Sequence, residues 1–417
     1  MLRDAVILCG GRGTRLGTQT GTTPKPLLEV GGRPFLFHLI QEVARFGVSR
    51  IILIAGFLGE MIRAQFDGMR IAHCSVEVLI EAEPSGTAGA LRLAGPRLEE
   101  DFLLLNGDSW IDLDLVAFAR HWQLENGSGQ NFAAQLALRV VDDVSRFGSV
   151  SVNRSSNRLL VTKFVEKQST LASRGLVNAG VYVLSPALLR DLPQDRPISL
   201  ETTVLPNAAS RGLVAGYEAP TESFFIDIGV PESLRAAREQ LLSRRTRPAL
   251  FVDRDGTLNE DRGYTHDMRG LVWMPGAREA IATANAAGWF VFVVTNQAGI
   301  AHGYYEEHDV QQFHRAMQAE LFHIGAHVDA FEFCPFHPEA RIEKWRRRSP
   351  RRKPAPGMIN DLMAQWPIDA KRSVMIGNSV TYIEAGEAAG IRGILYQGGS
   401  LAEVLIGAMQ GASSHVD

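Results

Sequence analysis

Residues 9–16 read Cys-Gly-Gly-Arg-Gly-Thr-Arg-Leu, directly after the apolar run Ala5–Leu8, and Pro24-Lys25-Pro26 follows shortly after. A buried strand that ends in a glycine-rich turn lets backbone N–H groups approach a phosphate, because glycine has no Cβ. Arg15 and Lys25 add the positive charge that a triphosphate needs. No Gly-Lys-Ser/Thr closes the loop, so it is not a Walker loop. The residues expected to face the nucleotide are Gly10, Gly11, Gly13 and Thr14.

A second phosphate signature, Asp253-Arg254-Asp255-Gly256-Thr257, follows a separate apolar run, Ala249–Val252. A carboxylate nucleophile needs a second carboxylic acid that protonates the leaving alkoxide, and a metal that lets it approach a phosphate. Thr295 ends another predicted strand and Lys353 follows downstream, and both can bind phosphate oxygens. The second half of the chain is therefore predicted to carry out phosphate-ester chemistry.

The chain has 417 residues, which is too long for one core and predicts two or three domains. Short apolar runs alternate with helical periodicity, as expected for parallel sheets covered on both faces. The basic stretch 243–248 breaks this rhythm. We therefore predict two α/β, doubly wound domains, 1–242 and 249–402. The predicted strands are Ala5–Leu8, Ile51–Ile54, Phe102–Leu105, Ala134–Val140, Val177–Leu184, Ala249–Val252, Phe290–Val294, Val328–Phe333, Ser373–Ile376 and Gly393–Tyr396.

The bulk properties exclude several classes of protein. The formal net charge of −3 gives no excess that argues for nucleic acid or anionic lipid as a partner. The few scattered cysteines, Cys9, Cys74 and Cys334, suit a reducing compartment without disulfides. No apolar run reads as a signal peptide or a membrane span. We expect a cytoplasmic protein with small-molecule partners, and a homo-oligomer is compatible with the sequence.

Residues 1 to about 240 resemble the sugar-1-phosphate nucleotidyltransferase family. Several short segments carry this resemblance jointly, in the order of the family's motifs. They are Leu27–Pro34, Glu83–Ala90, Asn106–Ser109, Arg146–Val150, Phe164–Lys167, Asn178–Tyr182 and Asp227–Glu232. The resemblance implies a Rossmann-like domain with a mixed, mostly parallel sheet.

In this family a sugar-1-phosphate oxygen attacks the α-phosphorus of a nucleoside triphosphate, and pyrophosphate leaves. Such a reaction depends mainly on positioning and electrostatics. The resemblance implies that Asp108 and Asp227 hold Mg²⁺, whose preference for carboxylate oxygen fits. It also implies that Arg15 and Lys25 stabilise the developing charge. The remaining implied contacts are the second glycine-rich loop with Gly86 and Thr87, Lys167 for the sugar phosphate, and Glu166 and Asn178 for sugar hydroxyls.

The expected sugar and base depend on two short segments. The segments Asn106–Ser109 and Arg33–Leu36 are most similar to heptose 1-phosphate and mannose 1-phosphate guanylyltransferases. We therefore expect GTP as the co-substrate, although the base pocket in this family consists mainly of backbone contacts. Other bases stay open at this point.

Residues 249 to about 402 resemble the haloacid dehalogenase superfamily, in the branch of heptose 1,7-bisphosphate and histidinol-phosphate phosphatases. The short connections between motifs leave no room for a large cap domain. The resemblance implies that Asp253 is the nucleophile, Asp255 the acid/base, and Thr295 and Lys353 the phosphate clamp. It further implies substrate contacts at Asn296 and Arg352, and a Mg²⁺ site made by Asp253, Asp255 and Asn378.

Two departures from this pattern concern metals. The family's acidic Gly-Asp-x-x-x-Asp motif reads here with Asn378 and Tyr382 at its aspartate positions. A neutral amide is a poorer Mg²⁺ ligand than a carboxylate. The branch often carries a Cys-x-His and Cys-x-Cys zinc loop, of which only Cys334 is retained, so no zinc is expected. The basic residues 346–348 and 351–352 read either as a solvated charge run or as neighbours of an anionic sugar phosphate.

The sequence hypothesis is a bifunctional enzyme of nucleotide-activated heptose synthesis for lipopolysaccharide or other glycans. The phosphatase half would release the distal phosphate of a heptose 1,7-bisphosphate, and the transferase half would attach a guanylyl group to the product. The alternative is a transferase for mannose or glucose 1-phosphate whose impaired phosphatase-like domain serves as a binding module. Asn378 and Tyr382 favour that alternative.

Overall fold

The structure is a computed structural model that describes residues 2–127, 129–144, 149–155, 158–165, 173–190, 192–193 and 196–413. The chain divides into two compact units, Met1–Leu241 and Leu242–Asp417. Within the described residues, no helix combines the length and the apolar character needed to cross a membrane.

The N-terminal unit is built on one large sheet with flanking helices. Its strands are β1 (Asp4–Cys9), β2 (Glu29–Val30), β3 (Arg33–Pro34), β4 (Arg50–Ala55), β5 (Arg70–Ile71), β6 (Cys74–Ile80), β7 (Phe102–Asn106), β8 (Ser109–Ile111), β9 (Ala134–Val141), β10 (Ser149–Ser155), β11 (Arg158–Val165), β12 (Gly175–Leu184), β13 (Val214–Glu218) and β14 (Phe225–Asp227). Its α-helices are α1 (Phe35–Arg45), α2 (Gly59–Phe66), α3 (Gly86–Ala94), α4 (Leu115–Gly127), α5 (Ala187–Arg190), α6 (Leu205–Ser210) and α7 (Pro231–Arg245).

The large sheet has the strand order β10-β11-β13-β9-β12-β7-β1-β4-β6-β5. One run of neighbouring strands is parallel, because β1 pairs in parallel with β4 and β7, and β4 pairs in parallel with β6. Strand β12 inserts antiparallel between β7 and β9, which makes the sheet mixed. The parallel strands β1 and β7 end at the same edge, and the glycine-rich loop and Asp108 follow them there.

The core of this unit explains the unbroken apolar runs in its strands. Val6, Ile52 and Leu104 on neighbouring strands pack with residues of α3 and α6 in one buried cluster. A parallel strand covered on both faces has no solvent-facing side, so its sequence loses the alternation of a half-exposed strand. Burial therefore fixes β1, β4 and β7 and, with them, the loops at their carboxyl ends.

The C-terminal unit has an all-parallel sheet of order β17-β16-β15-β18-β19. Its strands are β15 (Ala249–Val252), β16 (Phe290–Asn296), β17 (Ala330–Cys334), β18 (Val374–Gly377) and β19 (Arg392–Leu395). Its α-helices are α8 (Ala277–Ala286), α9 (Ala298–His302), α10 (Glu307–His323), α11 (Gly357–Gln365), α12 (Val380–Ala388) and α13 (Leu401–Ser413). Asp253 directly follows the central strand β15, where the strand order reverses and ligands bind in open α/β sheets.

The predicted fold class is confirmed, since both units are α/β and the sheet of the first is mixed. The start of β17 differs from the prediction, which began the strand at Val328. In the structure, the Gln318 side chain forms hydrogen bonds with both backbone polar groups of Val328. Gln318 Nε2 donates to Val328 O at 3.1 Å, and Gln318 Oε1 accepts from Val328 N at 2.9 Å. The ladder with β16 therefore begins at Ala330.

Gly86 begins helix α3 with a left-handed φ of +77°, and a Cβ there would lie 2.4 Å from the Ile198 carbonyl oxygen. We expect Gly86→Ala to lower the free energy of unfolding of the N-terminal unit by about 3 kcal/mol, because backbone strain and overpacking add. Gly212 is a matched control, since its φ is +72° but no atom lies within 4 Å of its Cβ position. Gly212→Ala should cost only about 1 kcal/mol. Equal losses in urea unfolding would contradict the role of the close contact.

Candidate active sites

The transferase site centres on Lys25, a buried lysine between two aspartates. Its Nζ lies 2.6 Å from Asp108 Oδ2 and 3.2 Å from Asp227 Oδ1. The Arg15 guanidinium is close by, because a Cβ placed on Gly229 would lie within 3.2 Å of Arg15 Nη2, Lys25 Nζ and Asp227 Oδ1. Four residues predicted separately from three segments of the sequence therefore converge on one point.

A short two-stranded ribbon brings the two aspartates together. Strand β14 pairs antiparallel with β8 so that Asp227 lies opposite Ser109, and Ile228 N donates to Asp108 O at 2.9 Å. The Asp227 carboxylate is fixed by Gly229 N at 2.7 Å, and Ser109 Oγ donates to Asp108 Oδ1 at 3.2 Å. The ribbon holds both carboxylates at the carboxyl edge of the large sheet.

The first glycine-rich loop keeps its backbone open to solvent. Gly11, Thr14 and Arg15 are exposed, and Gly13 adopts a left-handed φ of +61°. Thr20 Oγ1 donates to the Gly13 carbonyl at 3.0 Å, which closes the loop. Gly10 lies against the Glu81 side chain, since a Cβ there would lie 2.9 Å from Glu81 Oε2. This geometry suits backbone recognition of phosphates.

The second glycine-rich loop is tied to a π-helical turn, Leu200–Val204. Thr87 Oγ1 donates to Glu201 Oε2 at 2.7 Å and accepts from Leu200 N at 2.8 Å. The Thr87 hydroxyl is therefore engaged inside the protein, and the backbone around Gly86 and Thr87 is what the loop can present to a nucleotide. Sequence reasoning missed Glu201, although a polar turn between two apolar residues was the available signal.

A cavity of about 810 Å³ opens beside the ion-paired cluster. Its lining includes Arg15, Asn178, Tyr182, Glu201 and Asp227. Asn178 sits next to a β-bulge in β12, and its amide donates to Tyr182 Oη at 2.8 Å. Burial, reinforced by Glu201, raises the pKa of Tyr182, so the phenol is a neutral group. Glu166 and Lys167, predicted to bind the sugar phosphate, lie outside the described residues.

The donor set around Lys25 fits a divalent cation of the Mg²⁺ type. Mg²⁺ in enzymes is usually held by one or two carboxylates together with waters and substrate phosphates. Asp108 and Asp227 supply two carboxylates on a two-stranded ribbon, and both side chains are partly exposed. Within the part of the chain that the structure describes, no group of three or more His, Cys, Asp or Glu residues is placed to hold a metal.

The phosphatase site centres on the buried pair of Asp253 and Lys353. Lys353 Nζ lies 2.5 Å from Asp253 Oδ1, and both side chains are almost fully buried. Burial raises the pKa of Asp253 and lowers that of Lys353, and their mutual attraction opposes both shifts. Asp253 Oδ2 has no hydrogen-bond partner among the described residues. A buried carboxylate oxygen without a partner is costly, and it suits a group that attacks a phosphate or binds a cation.

Asp255 is held away from the ion pair by its own neighbour. Arg254 is fully buried and donates to both carboxylate oxygens of Asp255, at 3.0 and 2.8 Å. Gln297 Nε2 donates to Asp255 Oδ2 at 2.8 Å and to Thr295 Oγ1 at 2.9 Å. The sequence analysis gave Arg254 and Gln297 no role, yet they contact the predicted acid/base, and Gln297 also contacts the predicted phosphate ligand Thr295. Both Asp255 oxygens accept hydrogen bonds in this structure, and its place in the Mg²⁺ site stays a prediction.

Asn296 and Arg352, predicted to contact substrate, also have structural partners. The Asn296 side chain exchanges two hydrogen bonds with the Lys353 backbone, at 3.1 and 3.2 Å. Asn296 therefore positions the lysine. Arg352 donates to Phe336 O at 3.2 Å, and burial lowers its pKa. Arg352 keeps donors that can face an anion, whereas the Asn296 amide is engaged.

Asn378 and Tyr382 border the same pocket. A Cβ placed on Gly256 would lie 2.2 Å from Asn378 Nδ2, so the amide lies directly beside the Asp253–Thr257 loop. The ring of Tyr382 lies 3.6 Å from Lys353 Nζ in a cation–π contact. The donor left to a cation here is Asp253 Oδ2, which has no partner among the described residues, while the Asn378 amide presents its nitrogen to the loop. This set carries less negative charge than two carboxylates provide, and Mg²⁺ prefers carboxylate oxygen.

The loop after Cys334 is held by side-chain contacts at the positions where zinc ligands were considered. Arg347 stacks on Phe336 at 3.8 Å and Trp345 packs edge-on against it at 5.3 Å. Arg351 forms ion pairs with Glu332 and Asp361. Two of the basic residues considered above, Arg347 and Arg351, therefore stabilise the loop itself through side-chain contacts.

We expect a zinc chelator to leave the free energy of unfolding of the C-terminal unit unchanged, because side-chain contacts and not a bound zinc ion hold this loop. The Glu332→Gln variant should instead lower the free energy of unfolding by about 1 kcal/mol, the scale of a partly exposed ion pair. Thermal unfolding with and without chelator, on both proteins, measures this. A clear loss of stability on chelation of the wild-type protein would show that metal holds the loop.

Comparisons with known proteins agree with both units. The family model described as Nucleotidyl transferase matches residues 4–244, and a HAD-hydrolase-like model matches residues 350–416. A D-glycero-beta-D-manno-heptose-1,7-bisphosphate 7-phosphatase of Rhodopseudomonas palustris is 47% identical over 152 residues, which are 36% of this chain and 84% of that protein. The chain therefore belongs to the nucleotidyl transferase family, with a C-terminal part that belongs to the HAD-type phosphatases. It is an enzyme that joins two catalytic families.

Two further relatives match the N-terminal unit. The mannose-1-phosphate guanylyltransferase catalytic subunit beta of Danio rerio is 34% identical over 235 residues, which cover 55% of this chain and 61% of that protein. The structure of HddC from Yersinia pseudotuberculosis complexed with GMP-PN is 33% identical, with a TM-score of 0.49, and the match covers 58% of this chain and 100% of HddC.

Proposed function

We propose that the chain is a bifunctional enzyme in which residues 1–242 form a sugar-1-phosphate guanylyltransferase domain and residues 249–402 a heptose bisphosphate phosphatase domain. One observation carries the proposal: the 47% identity to a heptose-1,7-bisphosphate 7-phosphatase lies on the same chain as a nucleotidyltransferase unit. Removal of the 7-phosphate leaves a heptose 1-phosphate, which is the chemical class of substrate that the other unit is built to use.

In the transferase, the sugar phosphate oxygen attacks the α-phosphorus of GTP and pyrophosphate leaves. Arg15 and Lys25 would neutralise the triphosphate, and Asp108 and Asp227 would hold a Mg²⁺ ion that screens negative charge between the two anionic substrates. Lys25 lies 2.6 Å from Asp108, so the lysine proposed to bind the leaving pyrophosphate directly contacts a proposed cation ligand. Glu166 and Lys167 belong to the proposal as ligands of the sugar phosphate.

In the phosphatase, the Asp253 carboxylate attacks the phosphorus of the 7-phosphate, and Asp255 protonates the departing sugar oxygen. Lys353 and Thr295 bind phosphate oxygens beside the nucleophile. Deprotonated Asp255 then accepts a proton from the water that hydrolyses the phospho-aspartate, which returns both carboxyl groups to their starting states. Asp253 and Asn378 would hold the Mg²⁺, whose charge lets the carboxylate approach the phosphate.

A substrate panel tests the two assignments separately. Transfer is measured with heptose, mannose and glucose 1-phosphates against GTP, ATP, UTP and dTTP, and phosphate release with heptose 1,7-bisphosphate against other phosphate monoesters. We expect the highest kcat/KM for heptose 1-phosphate with GTP and for the heptose bisphosphate. A preference for mannose or glucose 1-phosphate would overturn the proposed sugar.

A second candidate function keeps the transferase and makes the C-terminal unit a binding module. Two observations favour it. Asn378 and Tyr382 stand where the family's motif has aspartates, and Lys353 forms an ion pair with Asp253 and contacts the Tyr382 ring. The Asn378→Asp variant discriminates between the candidates. If the wild-type protein releases no phosphate and the variant does, the C-terminal unit has lost catalysis; if both release phosphate, Asn378 suffices as a ligand.

A further inference from the structure

Tyr305 is a buried tyrosine of the C-terminal unit to which the chemistry described above gives no role. It lies between helices α9 and α10, and its hydroxyl donates to Gln297 Oε1 at 2.6 Å. Gln297 in turn donates to Asp255 and to Thr295. The tyrosine is therefore two hydrogen bonds away from both the predicted acid/base and the predicted phosphate ligand.

The Gln297 amide can make these contacts in one orientation only. A side-chain amide offers two N–H donors and one carbonyl acceptor. Nε2 uses its donors on Asp255 Oδ2 at 2.8 Å and on Thr295 Oγ1 at 2.9 Å, and Oε1 accepts from Tyr305. If the amide were turned over, its oxygen would face the Asp255 carboxylate, and two acceptors repel each other. The tyrosine hydroxyl therefore favours the orientation that the acid/base also requires.

Packing holds the Tyr305 ring in place. The ring stacks on His266, with the ring centroids 4.5 Å apart and an angle of 19° between the planes. It also lies directly against Gly299 of α9, where an added Cβ would collide with the ring. Burial raises the pKa of Tyr305, so the hydroxyl keeps the proton that it donates. Gln297 therefore has a fixed donor opposite its oxygen.

Gln297 joins the acid/base to the neighbouring strand. Arg254 also donates to Asp255, but it is the adjacent residue, and these two bonds hold the carboxylate within its own loop. The Gln297 amide instead contacts both Asp255 and Thr295, which lies near the end of β16. A general acid must lie within hydrogen-bond reach of the oxygen that it protonates, and small displacements are costly. The amide therefore sets the acid relative to the bound phosphate.

We propose that Tyr305 is a positioning residue of the phosphatase: its hydroxyl fixes the Gln297 amide, which holds the acid/base Asp255 in place relative to the phosphate ligand Thr295. The inference rests on the phosphatase activity proposed above and adds a residue to it. It predicts that loss of the hydroxyl impairs proton donation to the departing sugar oxygen more than it impairs attack on the phosphorus.

The test compares the wild-type protein with Tyr305→Phe on two esters, with Mg²⁺. One is the sugar phosphate that the panel above shows to be used fastest, and the other is p-nitrophenyl phosphate. A sugar oxygen needs a proton as its bond to phosphorus breaks, whereas nitrophenolate leaves as an anion without one. The kcat/KM of the variant should therefore fall about 10-fold on the sugar ester, the scale of one hydrogen bond, and about 2-fold or less on the aryl ester.

Tyr396→Phe is the matched control for a purely structural role. Tyr396 is buried in the same unit, and its hydroxyl donates to Gly399 O at 2.7 Å. Its loss should leave the ratio of kcat/KM between the two esters at the wild-type value.

A double-mutant cycle with Gln297→Leu asks whether the tyrosine acts through the amide, and it needs only the sugar ester. Once Gln297 is absent, adding Tyr305→Phe should cause no further loss. A further loss of about 10-fold, or an unchanged ratio between the esters in Tyr305→Phe, would overturn the proposal.

Failure of the phosphatase assignment itself has a different signature. If the wild-type protein and Asn378→Asp both release phosphate from neither ester, the proposed phosphatase is wrong and the positioning role is excluded with it. If only Asn378→Asp is active, the same series is made in that background. An active protein whose ratio does not respond to Tyr305→Phe removes the positioning role alone.

Discussion

Asp253→Asn should abolish phosphate release from heptose 1,7-bisphosphate, with a loss of about 10⁴-fold or more, the scale seen when a nucleophile is removed. The reason is that the amide cannot form the acyl phosphate, although it fills the same volume. Guanylyl transfer should stay at the wild-type level, because every residue proposed for it lies in the N-terminal unit. Phosphate release and nucleotide-sugar formation are measured on the same preparation.

The stability of this variant must be checked, since Asp253 is paired with the buried Lys353 at 2.5 Å. Removing one member of a buried pair can cost about 3–5 kcal/mol. Urea unfolding of the C-terminal unit shows whether the variant is folded under assay conditions. Glu384→Gln, an exposed change on α12, is the control for loss of a charge in the same unit. Full phosphatase activity in a folded Asp253→Asn protein would exclude the assigned nucleophile.

The second large effect is expected at Asp227. Asp227→Asn should lower guanylyl transfer by about 10³-fold, because the loss of one carboxylate removes several kcal/mol of charge stabilisation from the cation site. In the wild-type protein Gly229 N donates a hydrogen bond to Asp227 Oδ1 at 2.7 Å. The asparagine amide oxygen can accept the same hydrogen bond, so the local structure is kept while the charge is lost. Raising the Mg²⁺ concentration should recover part of the activity.

Glu232→Gln is the matched control, because Glu232 is an exposed acidic residue in the first turn of α7. Steady-state rates against Mg²⁺ concentration separate the two variants. The control should keep both the wild-type rate and the wild-type Mg²⁺ requirement. If Asp227→Asn did the same, the cation would have to be held elsewhere.

The sequence predicted those parts of the molecule that depend on local chemistry. The apolar run before residues 9–16 identified strand β1, which is flanked by β4 and β7, and the glycine-rich loop at its end. Asp253 was predicted at the end of β15 for the same reason, since an unbroken apolar strand followed by Asp-x-Asp is a local pattern. Asn378 could be recognised as a departure from the family's Gly-Asp-x-x-x-Asp motif, because the spacing within that motif is fixed.

Contacts between distant segments could not be predicted in this way. Asp108 and Asp227 meet only because β8 pairs with β14, two strands of three residues each that carry almost no periodic signal. Glu201 reaches the cavity on a π-helical turn, and apolar periodicity and short motifs do not indicate such a turn. Arg254 was given no role from the sequence, because its contact with Asp255 depends on the full burial of its guanidinium.

The central claim is that one chain converts a heptose bisphosphate into a nucleotide-activated heptose. The most direct measurement incubates the intact protein with heptose 1,7-bisphosphate, GTP and Mg²⁺, and follows inorganic phosphate and GDP-heptose together. The account predicts that GDP-heptose forms without any added phosphatase and that one phosphate is released for each molecule formed, beyond the pyrophosphate. GDP-heptose that appears only when a separate phosphatase is supplied would contradict it.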